Sequence, residues 1–419
     1  MKFFLDIKRV LTIGKIISFS LLIFFWDLKV NNIDFRLVVF FLLFITFIDS
    51  SFSSLKKNLK SFYFVLLLLL FITLHFYLNL IFDNQSIIFF PKDLFYILVT
   101  LLVIFINLVF IRKNLDHIIF FFIFCFIIFT IINFLWTDYN ILLSIYDRGL
   151  LLSCSYHGGW HGYTRFFFSE NSHLAMMSVP VLFYYFLGFS LNKLNFVKKF
   201  FFFSFFLFSI INYTLTFLVG IILCILLVSF TNIKYFIQKK VYIKTIFLIC
   251  LSLFFLISDP ECKNKLYHSS SAITNANKNL DLSSAVFINS IHIAKTTITD
   301  RPLGWGLNRY EAAYSNYAIN NKVKYNLDEL HHKLFVWNLN MKDASSNFSK
   351  LITEFGIFSF IIFLYFIFFS FSNKANLQEK LFLNSIIIIQ FLRGAGYFNG
   401  GFLFCVLLMF FISLSRKDV

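Results

Sequence analysis

Residues 343–371 read DASSNFSKLITEFGIFSFIIFLYFIFFSF, and the reading of this stretch decides the fold. Asp343, Ser345, Ser346 and Asn347 have the composition of a helix N-cap. The run that follows, Leu351 to Phe371, matches the roughly 20 apolar residues that a helix needs to cross a bilayer. Outward from it the chain repeats the pattern, and 59% hydrophobic against 14% charged residues lies far from the usage of soluble domains. The expected fold class is all-α: one polytopic integral membrane domain over residues 1–419.

Hydropathy suggests about twelve spans: Val10–Trp26, Leu37–Phe52, Phe62–Phe82, Leu94–Ile111, Ile118–Trp136, Leu174–Leu191, Phe200–Ile211, Tyr213–Phe230, Tyr242–Ile257, Leu351–Phe371, Leu381–Leu392 and Phe402–Leu414. Lysine and arginine collect in every second connection, in the groups Lys56/Lys57/Lys60, Arg112/Lys113, Lys193/Lys198/Lys199, Lys234/Lys239/Lys240/Lys244 and Lys374/Lys380. With Lys2, Lys8 and Arg9 at one end and Arg416 and Lys417 at the other, both termini read as cytoplasmic, provided the chain turns at Asn212 and near Gly400. Two longer loops, 137–171 and 258–349, then lie outside. Nothing at the N-terminus resembles a cleaved signal peptide.

The net charge of +16 belongs to these lipid-facing groups rather than to a nucleic-acid surface. The 66 phenylalanines are read as lipid-facing or interhelical packing. Cys125, Cys224, Cys250 and Cys405 fall in apolar runs; Cys154 and Cys262 fall in the two outer loops, where an oxidising compartment would allow a disulfide. Inside the spans Lys15, Asp49 and His75 are the main ionisable residues, and Lys15 and Asp49 sit close enough to a cytoplasmic end to snorkel. So few intramembrane charges argue against an ion-coupled transporter and for chemistry at the outer face.

Candidates for that chemistry lie in the two outer loops and at the ends of late spans. Arg165 and Glu170 flank a short apolar run in TRFFFSENSHLA: the guanidinium can hold phosphate oxygens and the carboxylate can act as base, or the two can form a salt bridge at the bilayer edge. His157, His161 and His173 lack the partners for a tetrahedral metal site. In DRPLGWGLNRY, Arg301 and Arg309 bracket a turn whose glycines allow exposed amides suited to an anion. Tyr310, Tyr314 and Tyr317 suit either stacking on sugars or an amphipathic surface helix. Lys350 and Glu354, four apart, read as interfacial anchors. Arg393, in LRGAGYFNGG, needs an anionic partner. Asp343 and His332 are further candidate bases.

TRFFFSENSHLA, PLGWGLNRY and SNFSKLITEFGIFSFI, with about twelve spans and the largest outer loop late in the chain, together resemble the O-antigen polymerase and O-antigen ligase family of bacterial membrane glycosyltransferases. Arg165, Phe168, Glu170, Ser172 and Ala175 fit the first motif, with Asn171 where proline is usual and the motif's glycine lacking. Pro302, Gly304 and Gly306 fit the second; Glu354 and Gly356 fit the third. Ligases carry a His-Asn pair ahead of that last helix, and Ser346-Asn347 stands here instead, which favours polymerase. The resemblance implies an inner-membrane enzyme, active at the periplasmic face, that takes an undecaprenyl-diphosphate-linked glycan and needs no cofactor or metal. It also implies membrane lipid, a chain-length regulator and a flippase as partners. Arg165, Arg301, Arg309 and Arg393 would hold the donor diphosphate, with Glu170, Asp343 or His332 as the catalytic base. A ligase that joins glycan to lipid A core, or a flippase of lipid-linked saccharides, remain the alternatives.

Overall fold

The computed structural model describes residues 2–25, 37–48, 90–136, 171–187, 194–211, 213–231, 241–260, 262–264, 282–324, 340–394, 396–397 and 401–414, with scattered residues between 63 and 78 and at 266–267. Among the described residues the regular structure is helical throughout. In chain order it comprises α1 (Lys2–Phe24), α2 (Leu37–Ile48), α3 (Phe90–Trp136), α4 (Asn171–Leu182), α5 (Phe196–Ile211), α6 (Leu215–Thr231), α7 (Val241–Ser258), α8 (Leu282–Asp300), α9 (Tyr310–Lys324), α10 (Asn347–Phe355), α11 (Phe358–Phe371), α12 (Leu377–Leu392) and α13 (Phe402–Leu414).

Among these, Asp93–Ile128 within α3 is long and apolar enough to cross a membrane. Two spans with a basic connection at Arg112 and Lys113 were expected here, but helical geometry runs through both residues. Phe122 stacks on Phe24, which also touches Phe382, so the second half of α3 stays against the same bundle. The axes of α5 and α6 differ by 118°, a sharp turn at the break expected around Asn212. In α4, Pro180 removes one helical donor and a π-helical turn, Phe183–Leu187, follows it.

Interdigitated aromatic rings fill the bundle, with Phe205 meeting both Phe122 and Phe126 edge to face. On α11 the exposed side chains are Phe360, Ile361, Leu364, Ile367, Phe368 and Phe371, an apolar stripe at helical spacing. A stripe that apolar is disfavoured in water and at home in hydrocarbon. Lys15 does not snorkel: it is buried, with its ammonium 5.4 Å from the centre of the Phe110 ring.

Charged contacts gather in two layers. Arg112 bonds Glu379 (2.7 Å) and the Lys374 carbonyl (3.0 Å), while Lys198 pairs with Asp116. Three of the basic connections thus meet at one level. Glu379 also completes a capping box with Asn376 at the start of α12. Asp93, 19 residues before Arg112 and so about 28 Å away along a helix, accepts a hydrogen bond from Asn308 in the second layer. α12 returns the chain from the first layer to the second, where Gln390 accepts from Asn347 at 3.1 Å. The separation is close to the thickness of a bilayer's hydrocarbon core.

Candidate functional site

The second layer is organised by α10. Ser346 caps it, with extended backbone and a side chain that accepts from the Ser349 amide at 3.1 Å. Ser290 on α8 bonds Ser345 at 2.8 Å, which fastens the start of α10 to the loop segment. Every α10 side chain except Phe348 is buried, including both charged ones. A nine-residue helix is too short to cross a bilayer, and Gly356 separates it from α11.

The GWG turn closes the other end of α10. The last carbonyls of a helix have no partner within it. Here the Thr353 carbonyl accepts from Trp305 N–H (3.0 Å), Glu354 from Gly306 N–H (2.9 Å), and Pro302 returns the contact by accepting from Ile357 N–H (2.8 Å). The amides expected to face an anion are therefore committed to a helix terminus, which corrects that reading of the turn. Gly304 and Gly356 both have positive φ, and a Cβ on either would overlap the other segment's backbone.

Glu354 and Lys350 are not interfacial anchors. Glu354 accepts backbone N–H groups from Asn308 (2.8 Å) and Tyr310 (3.1 Å). Lys350 donates to the Lys342 carbonyl (2.6 Å) and to Asn308 Oδ1 (3.4 Å), and its Nζ lies 3.7 Å from Glu354, 3.8 Å from Asp343 and 5.1 Å from the centre of the Tyr397 ring. One buried pair thus ties together the turn at 302–310, the approach at 342–343 and the loop at 394–397. Burial raises the Glu354 carboxyl to about 7, against the opposing pull of Lys350, the two backbone donors and the Tyr397 hydroxyl.

The expected site residues divide as follows. Asp343 is in this layer, 47% exposed and close to Lys350. Arg309 and Arg393 are half-buried and lie on segments that touch α10: Arg309 adjoins Asn308 and Tyr310, and Gly394 next to Arg393 donates to the Ser345 carbonyl at 3.0 Å. The Arg301 guanidinium lies 3.7 Å from the centre of the Trp305 ring. Arg165, Glu170 and His332, with His157 and His161, fall outside the described residues. Tyr310 and Tyr314 are no sugar platform: with Trp305, Ile293 and Ala344 they form a small core of the loop, and burial pushes the Tyr314 hydroxyl up to about 12. Asn308, Lys350 and Tyr397 were not singled out as site residues. Lys350 and Glu354 at i, i+4 ahead of an apolar run were the available signal, and it carried no information about burial.

Cys262 is disulfide-bonded and buried, whereas Cys125, Cys224, Cys250 and Cys405 are free. Cys154 lies outside the described residues. Among the described residues no group of three or more His, Cys, Asp and Glu could hold a metal ion.

Comparison with family models, with curated proteins and with solved structures finds no match to this chain.

Proposed function

We propose that this protein polymerises undecaprenyl-diphosphate-linked repeat units of a surface polysaccharide at the outer face of a bacterial inner membrane. The observation that carries the reading is the convergence on α10 of PLGWGLNRY, DASSNFSKLITEFG and LRGAGY, distant in sequence and drawn into one charged layer by Lys350 and Glu354. That layer lies about one hydrocarbon thickness from the layer holding Arg112, Lys198 and Lys374, which supports a multi-pass topology with the basic layer cytoplasmic. A disulfide at Cys262 agrees with an oxidising outer side.

In this reading Arg165, Arg309 and Arg393, with Arg301, neutralise the departing lipid diphosphate, a charge effect worth several kcal/mol in a partly dry site. The acceptor hydroxyl oxygen forms the new bond to the donor's anomeric carbon as the carbon–oxygen bond to phosphate breaks. Glu170, Asp343 or His332 takes the acceptor proton. The donor is already activated, so the transfer draws on no further cofactor. Ser346, spent on capping α10, stands where a ligase would place histidine, which favours polymerase over ligase.

The deciding experiment is the lipopolysaccharide profile of a deletion strain complemented with wild type and with Arg393→Ala. Core bearing a single repeat unit in the deletion strain and in the variant is the expected result. Accumulation of lipid-linked polymer with no O-chain on the core would indicate ligase. An unchanged profile would exclude both O-antigen roles and redirect the polymerase reading to a capsule or another exported glycan.

A further inference from the structure

Directly beneath the charged layer lies a cavity of about 290 Å³ whose lining is wholly apolar. Its roof is Leu307, Leu351, Phe355 and Tyr397, each within one residue of, or part of, the Lys350–Glu354–Asn308 network. Its walls come mainly from α11 and α13, with Ile97 of α3 and Ile72 completing them. Of its two lining tyrosines, Tyr365 turns its hydroxyl to Ser413 at 3.1 Å and Tyr397 turns its own toward Glu354, so no donor or acceptor faces inward.

One lining residue shows how the cavity is reached. Ile361 belongs to the exposed apolar stripe of α11 and is itself 63% exposed. The cavity therefore reaches the lateral apolar surface of α11, one and a half turns along from Gly356. An apolar space of this size gives water nothing to bond to, and left empty it costs stability in proportion to its volume. It falls just below the usual range of ligand pockets, about 300–1,000 Å³, which suits part of a long chain rather than a whole lipid.

We infer that this cavity binds one linear hydrocarbon chain that enters from the bilayer at Ile361. The inference rests on the membrane reading and not on the polymerase reading. Two sources share the chemistry, the polyisoprenyl chain of a lipid-linked donor and the acyl chain of a bilayer phospholipid, and they can be told apart.

The purified full chain is reconstituted in nanodiscs with either a diazirine-bearing polyisoprenyl phosphate or a diazirine-bearing phosphatidylglycerol, irradiated and mapped by peptide mass spectrometry. Adducts on residues 358–371 and 402–410 are expected, at several times the yield on the exposed α6 face around Leu226. Val406→Trp, which fills the cavity, should reduce them at least fivefold, and Leu226→Trp should not. Labelling by the polyisoprenyl probe alone would make this the tail site of a lipid-linked substrate. Labelling by the phospholipid alone would make it a structural lipid site, with the hydrocarbon site upheld even if the polysaccharide assay fails. Wild-type labelling no greater at these peptides than at α6 would overturn the inference without any variant, as would labelling indifferent to Val406→Trp in protein that remains monodisperse.

Discussion

The Lys350 ammonium lies 3.7 Å from the Glu354 carboxylate one turn along α10, and both side chains are buried. A pair so placed fixes an arrangement more than it adds net stability, because desolvation offsets much of the attraction. Removing one member leaves the other charge stranded. Lys350→Met is therefore expected to destabilise the protein by about 3–5 kcal/mol at pH 8. The double variant Lys350→Met/Glu354→Leu should recover part of that loss. Thermal unfolding in detergent checks both, and a double variant no better than the single would remove the pair from its organising role.

Glu354 also gives the layer a pH dependence. Its carboxyl is raised from an ordinary 4.5 to about 7 by burial. Between those values the folded state binds a proton that the unfolded state has lost, so this contribution falls as pH rises. It is fully present below about 4.5 and gone above about 7. At about 1.4 kcal/mol per pH unit the change amounts to about 3 kcal/mol. Glu354→Gln should flatten the fall of midpoint temperature between pH 5 and pH 8; a slope equal to wild type would show that Glu354 does not set it.

Gly304 and Gly356 each hold a left-handed backbone against the other segment's main chain, at φ of 78° and 54°. Alanine at either position would carry strain of about 1–3 kcal/mol for the conformation alone, before the overlap with carbonyl oxygen is counted. Gly304→Ala and Gly356→Ala should thus both destabilise. Gly14→Ala is the control: it sits within α1, where a Cβ would meet only Ile45 Cδ1 at 3.5 Å, and should be neutral or stabilising by up to about 1 kcal/mol. Equal behaviour of all three in the same unfolding assay would contradict the docking of the turn onto α10.

Much of this arrangement was legible in the sequence because it depends on neighbours along the chain. The cap at Ser346, the apolar run of α11 and the break between α12 and α13 follow from local composition. The basic groups that hydropathy places on one side do meet, at Arg112 and Lys374. What could not be read depends on segments far apart. Lys350 and Glu354 look like surface charges until residues 308, 310, 342 and 397 close over them. The amides of Trp305 and Gly306 look available until the carbonyls of residues 353 and 354 arrive to take them. Spacing identifies a donor but does not reveal which acceptor will face it.

Cys262 tests which side of the membrane this layer faces. It follows α7 closely, beside Asp259, whose carboxylate accepts from the Tyr213 hydroxyl at 2.7 Å, and it is buried and disulfide-bonded. Disulfides persist in the periplasm and are reduced in the cytoplasm. In normal cells lysed directly into denaturant, Cys262 should resist alkylation until a reductant is added, while Cys125, Cys224, Cys250 and Cys405 react at once. In a strain unable to oxidise periplasmic thiols, Cys262 should react without reductant. Loss of the bond by Cys262→Ser should cost about 2–4 kcal/mol of stability, the usual scale for a native disulfide. Prompt alkylation of Cys262 in normal cells would place α10 and its charged layer away from the oxidising side. The proposed polymerase face would then have to be abandoned, while the hydrocarbon cavity, which needs only a bilayer, would stand.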